Sequence, residues 1–295
     1  MLSMLRKVSL KKVLFALAAM IGAYALLCFV LAYNYVHPAR EKVVLPSGFR
    51  DVLVPTRFGP TPSWETAGFE SGHPTKLVFV LAHGYGGSRA SWSELMQRLA
   101  DHGFDSLALS MPGQDQSPEP KVGFGVLESQ EIVDAVAWIR KQYPSRKVVV
   151  MGASMGGAAA WLATRGDPQI DGIITDSAYA QFDEAMTAFF DRKLPRSSFL
   201  FTPVVWIAKR MAGVDPSKIR PVDAASLWRG KPGLVIQGAE DRLVVPSQGE
   251  RLASAAACAL WLVPGATHVR SYFIDPEGYL SHVVKFAKAV ESKSK

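Results

Sequence analysis

Ser154 stands between two glycines in GASMG, residues 152–156. Well downstream, Asp241 lies in GAEDRLV and His268 in PGATH. A serine hydroxyl is a poor nucleophile near neutral pH and needs an adjacent base. An imidazole is such a base when a carboxylate orients it and stabilises its charged form. The three residue types together suit acyl transfer through a covalent acyl-enzyme. That chemistry also needs donors for an oxyanion. The Met155 amide is one candidate. The other is the Tyr85 amide in the glycine-rich loop LAHGYGGS, residues 81–88. His83 and Gly84 support that loop, and His83 belongs to the oxyanion side rather than serving as the base. Each residue also has an ordinary reading: Ser154 as a helix cap, His268 as a surface or structural histidine, Asp241 as a turn-capping carboxylate. Glu240 adjoins Asp241, and Asp176 ends a strand of its own, so both compete for the place of the acid.

These residues need elements that carry them to one edge. Apolar runs at 76–82, 104–110, 147–153, 170–176, 233–239 and 259–265 read as strands. GFRDVLVPT, 48–56, reads as an early strand. Between them WSELMQRLADHG, 92–103, is a helix closed by Gly103. SQEIVDAVAWIRKQY, 129–143, is an amphipathic helix, GGAAAWLATRG, 156–166, is another, and GYLSHVVKFAKAVESK closes the chain. Short apolar strands alternating with helices predict a mostly parallel central sheet, an α/β class, with helices on both faces. Ser154 falls where a strand turns sharply into a helix, and Gly152 and Gly156 relieve crowding at that turn. Asp241 and His268 follow later strands, one strand–helix–strand step apart. Residues 59–75 are turn-rich. Trp64 within them, expected exposed, either packs on the domain, the preferred reading, or touches substrate or membrane. The rhythm breaks at about 180–230, a stretch too long for a simple connection. It reads either as a short helical cap over a pocket or as helices that cover the core. Its Phe189, Phe190, Phe199, Leu200, Phe201, Val204, Val205 and Trp206 make it apolar.

The chain has 295 residues, 48% of them hydrophobic and 20% charged, which is globular rather than disordered. Arg6, Lys7, Lys11 and Lys12 precede residues 13–33, a run of 21 residues without a charge. Such a run is long enough to cross a bilayer as a helix. Tyr33 and Tyr35 sit at its far end, where aromatic rings favour the interface. A buried soluble helix and a cleaved signal peptide are the rivals, and a lipoprotein reading of Cys28 is weak because bulky Leu27 precedes it. The preferred organisation is a basic segment at 1–12, an anchor at 13–35, a linker at 36–47 and one domain from 48 to 295. The basic flank sets the N-terminus in the cytoplasm and the domain on the other side. The net charge is +7, but residues 1–40 hold five Lys or Arg and no acid, leaving the rest near +2. No dense basic patch or nucleic-acid motif is present. Cys28 and Cys258 are the two cysteines, and one lies in the span, so the domain has no internal disulfide; Cys258 reads as a packed core residue. The histidines at 37, 73, 83, 102, 268 and 282 have no metal-ligand spacing, and the chemistry needs neither metal nor organic cofactor.

HGYGGS, GASMGG, GAEDRLV and PGATH together resemble the α/β-hydrolase superfamily over about residues 75–290. DSAY at 176–179 and SYFIDPEGY at 271–279 are similar to its serine aminopeptidase-like branch of membrane-anchored or secreted bacterial proteins. The resemblance implies the α/β-hydrolase fold, a triad of Ser154, Asp241 and His268, and an oxyanion hole from the Tyr85 and Met155 amides. It departs at SMPGQDQS, 110–117, where many relatives carry D-x-R-G-x-G-x-S, so the pocket border differs. A lesser departure is VVPS after Asp241, where VPP is more usual. The expected activity is hydrolysis of an apolar carboxylic ester. The alternatives are a peptidase or amidase, and a noncatalytic envelope binding protein that retains the fold. Oligomeric state is left open.

Overall fold

The computed structural model describes residues 9–66, 68, 76–166, 169–193, 196 and 198–292. Arg6, Lys7 and His73 lie outside them. The first described element is a helix, α1 (Leu10–Val36). The strands follow as β1 (Phe49–Thr56), β2 (Gly59–Thr66), β3 (Leu77–Ala82), β4 (Asp105–Leu109), β5 (Lys147–Ala153), β6 (Gly172–Asp176), β7 (Gly233–Gly238) and β8 (Ala259–Val263). They form one sheet in the order β1-β2-β4-β3-β5-β6-β7-β8. Every pairing from β4 through β8 is parallel, while β2 runs antiparallel to both β1 and β4.

Strand alternation divides the core between two faces. Val78 and Val80 of β3 join one apolar cluster, and Leu77, Phe79 and Leu81 join the other. Val148 and Val150 of β5 face as Val78 does, while Val149 and Met151 face the opposite side. On the first face lie α3 (Val126–Gln142), α4 (Met155–Ala163), α7 (Pro221–Leu227) and α8 (Pro246–Ala256). The second face is covered by α2 (Ser93–Asp101) and α10 (Pro276–Ser292), with the short α9 (Ser271–Ile274) leading into α10. Both faces of the sheet are therefore covered, as the continuous apolar strands require.

β2 is the element the turn-rich composition concealed. It closes on β1 through Arg57 and Phe58, with Thr56 opposite Gly59. Pro60 and Pro62 lack a backbone donor, and they precede the stretch, Ser63–Glu65, that pairs with β4. Trp64 is wholly buried, not exposed. Its ring stacks on Phe49 at 6.5 Å, and the Arg89 guanidinium lies over it at 5.0 Å.

The long insertion does two things. α7 covers the core with Pro221, Ala224 and Ala225 buried. α5 (Phe182–Lys193) and α6 (Thr202–Ala212) stand off the sheet, and α6 packs along α1. α1 buries side chains only at its end, although Tyr24 nearer its middle also reaches the Leu200 carbonyl. Cys28, Ala32 and Val36, spaced four apart on one helical stripe, are buried, while residues 10–27 are all exposed.

Candidate active site

Ser154 follows β5 and caps α4 with φ 51° and ψ −116°. A serine with positive φ is uncommon and is held by its surroundings. The Ser154 amide donates to the Asp176 carbonyl (2.8 Å), and the Ala158 amide donates to the Ser154 carbonyl (3.0 Å). The turn is tight enough to exclude side chains beside it. A Cβ on Gly152 would lie 2.3 Å from the Gly156 carbonyl oxygen, and one on Gly156 would lie 2.1 Å from that of Ala82. The two glycines are thus required by close backbone approach.

The structure brings Ser154, His268 and Asp241 together. Asp241 follows β7 and is buried. Its Oδ1 accepts the Leu243 and Val244 amides (2.8 and 2.9 Å), which fixes the carboxylate plane. Its Oδ2 accepts the His268 Nδ1 proton at 2.7 Å. Nε2 of His268 is then the acceptor for the Ser154 hydroxyl, at 2.9 Å. Asp176 is adjacent but engaged elsewhere: the hydroxyls of Ser177 and Ser271 donate to its Oδ1 (2.9 and 3.2 Å). Burial pushes its carboxyl up to about 6. Glu240 is exposed. The Val269 amide, just after His268, donates to Ser177 Oγ (3.1 Å), and Val269 itself sits at φ 54°. A β-branched residue in that region is strained, and the strain lies where the imidazole is aimed.

The loop after β3 sits over Ser154: a Cβ on Gly84 would approach the Ser154 Cβ to 3.3 Å. His83 is buried, with Nδ1 donating to the Gly84 carbonyl (2.9 Å) and Nε2 accepting the Met111 amide (3.2 Å). Burial lowers its pKa to about 4, so it stays neutral and ties two loops together. Met155 is the first residue of α4, where an amide has no acceptor within the helix.

The departure at 110–117 proves to be a brace. Gln114 Oε1 accepts the Gly86 amide, and Asp115 Oδ2 accepts the Arg89 amide (3.0 Å). The Arg89 guanidinium, buried, pairs with Asp115 at 3.5 Å and donates to Ser110 Oγ. Sequence reasoning missed Gln114, Asp115 and Arg89. The signal available was the departure itself, since an acid displaced along that loop invites a search for its basic partner.

Two cavities meet at Ser154. The larger, about 290 Å³, is bordered by His268, Glu94, Trp92, Tyr272 and Phe273. The smaller, about 170 Å³, is bordered by Met155, Phe124, Phe182, Met186, Phe189 and Val244, with Tyr35 and Tyr85 at one side. Among the described residues, no charged side chain lines it. Tyr35, expected at a lipid interface, instead turns inward and meets Phe189 edge-on at 6.2 Å. The Tyr85 hydroxyl donates to the Tyr35 carbonyl (3.1 Å), and burial pushes that phenol up to about 12. The end of α1 is therefore part of the wall around the site.

Residues 78–201 match the family model described as the alpha/beta hydrolase fold. No curated protein sequence matches the chain. Among solved structures, an esterase of Pyrococcus furiosus is similar with a TM-score of 0.71 and 22% identity, over 88% of this chain and 100% of that one. An acylaminoacyl peptidase of Pyrococcus horikoshii is similar at 0.63 and 14%, over 84% of this chain and 42% of that one. A Xanthomonas campestris protein, described as an α/β serine hydrolase without a lid, is similar at 0.58 and 16%, over 86% and 100%. The sheet order, the helices on both faces and these likenesses agree: the chain has the α/β-hydrolase fold.

Proposed function

We propose that the chain is a serine hydrolase that cleaves carboxylic esters through an acyl-enzyme. The observation that carries this reading is the hydrogen-bonded row Asp241–His268–Ser154 at the mouth of an apolar cavity. Ser154 Oγ attacks the ester carbonyl carbon as its proton passes to His268 Nε2. The carbonyl electron pair moves to oxygen, where the Tyr85 and Met155 amides donate to it. Collapse breaks the bond to the alkoxide, which leaves with the proton from Nε2. Water then attacks the acyl carbon by the same route, releasing the acid and restoring Ser154. Asp241 keeps Nδ1 protonated throughout and stabilises the imidazolium.

The same reading seats α1 in a membrane as a single span. Its mean hydropathy is 2.5 over an 18-residue window, and almost all of that window is exposed. Leu14, Phe15, Ile21 and Leu26 would otherwise face water. Lys11 and Lys12 at its start favour a cytoplasmic N-terminus and a domain on the opposite side.

Labelling with a fluorophosphonate probe tests the chemistry. Wild-type protein is expected to label and to hydrolyse an acyl ester, and Ser154→Ala to do neither. A folded wild-type chain that neither labels nor turns over esters sinks the proposal. Turnover of aminoacyl amides alone would replace esterase with peptidase.

A further inference from the structure

The two cavities assign the two halves of the substrate. The alkoxide must collect its proton from His268 Nε2, so the leaving group occupies the cavity that His268 borders. The acyl chain is left with the other, on the Met155 side, whose walls are carbon. That wall is completed by the helix that carries the apolar span. Tyr35 packs edge-on against Phe189 and Phe190 of α5. Higher on the same helix, the Tyr24 hydroxyl donates to the Leu200 carbonyl, just before α6. Phe199, Leu200 and Trp206 are exposed on this side of the molecule. Arg210 lies over the Trp206 ring at 5.1 Å. An exposed apolar surface carrying a tryptophan and an arginine, alongside an apolar helix, suits the level of lipid headgroups. Residues 10–23, before that Tyr24 contact, extend the helix about 21 Å further, some two thirds of the thickness of a hydrocarbon core.

We propose that the substrate is an acyl ester resident in the bilayer, its acyl chain held in the cavity that Tyr35 and α5 enclose beside the spanning helix. This rests on the ester-hydrolase reading above. Chain length is then read by Tyr35, Ala185, Met186 and Phe189, and the ester reaches Ser154 laterally along α1, without crossing water.

The test uses the full chain reconstituted in phosphatidylcholine vesicles, with Ser154→Ala as the blank. One substrate is a water-soluble short-chain ester. The other is a long-chain acyl ester carried either in the same vesicles or in separate, protein-free ones. The long-chain ester is expected to turn over in shared vesicles and at least about tenfold more slowly from separate ones, because a long acyl chain must first leave its bilayer for water. Tyr35→Ala removes a wall of the cavity, and Ala185→Trp fills it. Each is expected to lower the long-to-short ratio of kcat/KM by about tenfold. Equal turnover from shared and separate vesicles overturns the proposal, as does an unchanged ratio in both variants. In either case Ser154-dependent turnover of the short ester persists, and the hydrolase reading stands. Loss of Ser154-dependent turnover on both esters removes that reading and this one together.

Discussion

Two aspartates lie within reach of one imidazole, and their partners separate them. Asp241 uses both oxygens: one on two backbone amides, the other on His268 Nδ1. Asp176 spends Oδ1 on two serine hydroxyls and is deeply buried. Under the proposed mechanism Asp241→Asn loses the acceptor that fixes the tautomer. Its kcat is expected to fall by roughly 10³ to 10⁴. Asp176→Asn is expected to cost less than about tenfold, and steady-state kinetics on one ester decides between them. Comparable losses in the two variants would move the acid away from Asp241. Ser154, Asp241 and His268 were legible because each stands at a strand end beside glycine or proline, a local signal. Gln114, Asp115 and Arg89 were not, because their value lies in contacts between loops about 26 residues apart in sequence. No window of local sequence contains both partners.

At the scale of elements, the parallel strands were readable from their unbroken apolar runs, because both faces of each are covered. β2 was not readable: its two prolines and its threonines and serine resemble a loop, and only the pairing with β1 and β4 makes it a strand. The insertion was equally ambiguous, since Phe and Trp suit a core and a cavity wall alike. α3 carries an unadvertised cost. Glu131 on its inner side is fully buried, and burial pushes its carboxyl up to about 7 from an ordinary 4.5. Between those values the folded chain keeps a proton that the unfolded chain has lost. Stability from this group is therefore present below about 4.5 and is lost as pH rises through about 7. Glu131→Gln removes the titration. Chemical denaturation is expected to show little difference near about pH 5 and up to about 3 kcal/mol of added stability near about pH 8. A variant less stable than wild type at the higher pH would refute this.

For the whole molecule, the decisive contrast is between the two ends of α1. Its first eighteen residues are exposed, with Tyr24 hydrogen-bonded to the Leu200 carbonyl, while Cys28, Ala32 and Val36 are packed. A sequence scan identifies the apolar length but not the docking, because the stripe that docks is as apolar as the rest. Leu17→Arg with Ile21→Arg places two charges in the proposed span, at about 2.5 to 3.5 kcal/mol each. The double variant is expected to leave the membrane fraction after an alkaline wash, where the wild type stays. Wild-type protein in the wash supernatant would remove the anchor.

The segment after α1, expected to be a plain linker, is pinned. The Arg40 guanidinium donates to the Ser117 and Glu119 carbonyls (2.7 Å each), and the Val122 amide donates to the Val36 carbonyl (2.9 Å). A chain fixed at both points is a strut rather than a tether. For a domain seated as proposed, the nucleophile then stays at one height above the lipid and cannot swing out to sample the bulk. Such an enzyme searches a plane. Its rate follows the mole fraction of ester among the surrounding lipids, and inert lipid slows it even when the total concentration of ester is unchanged.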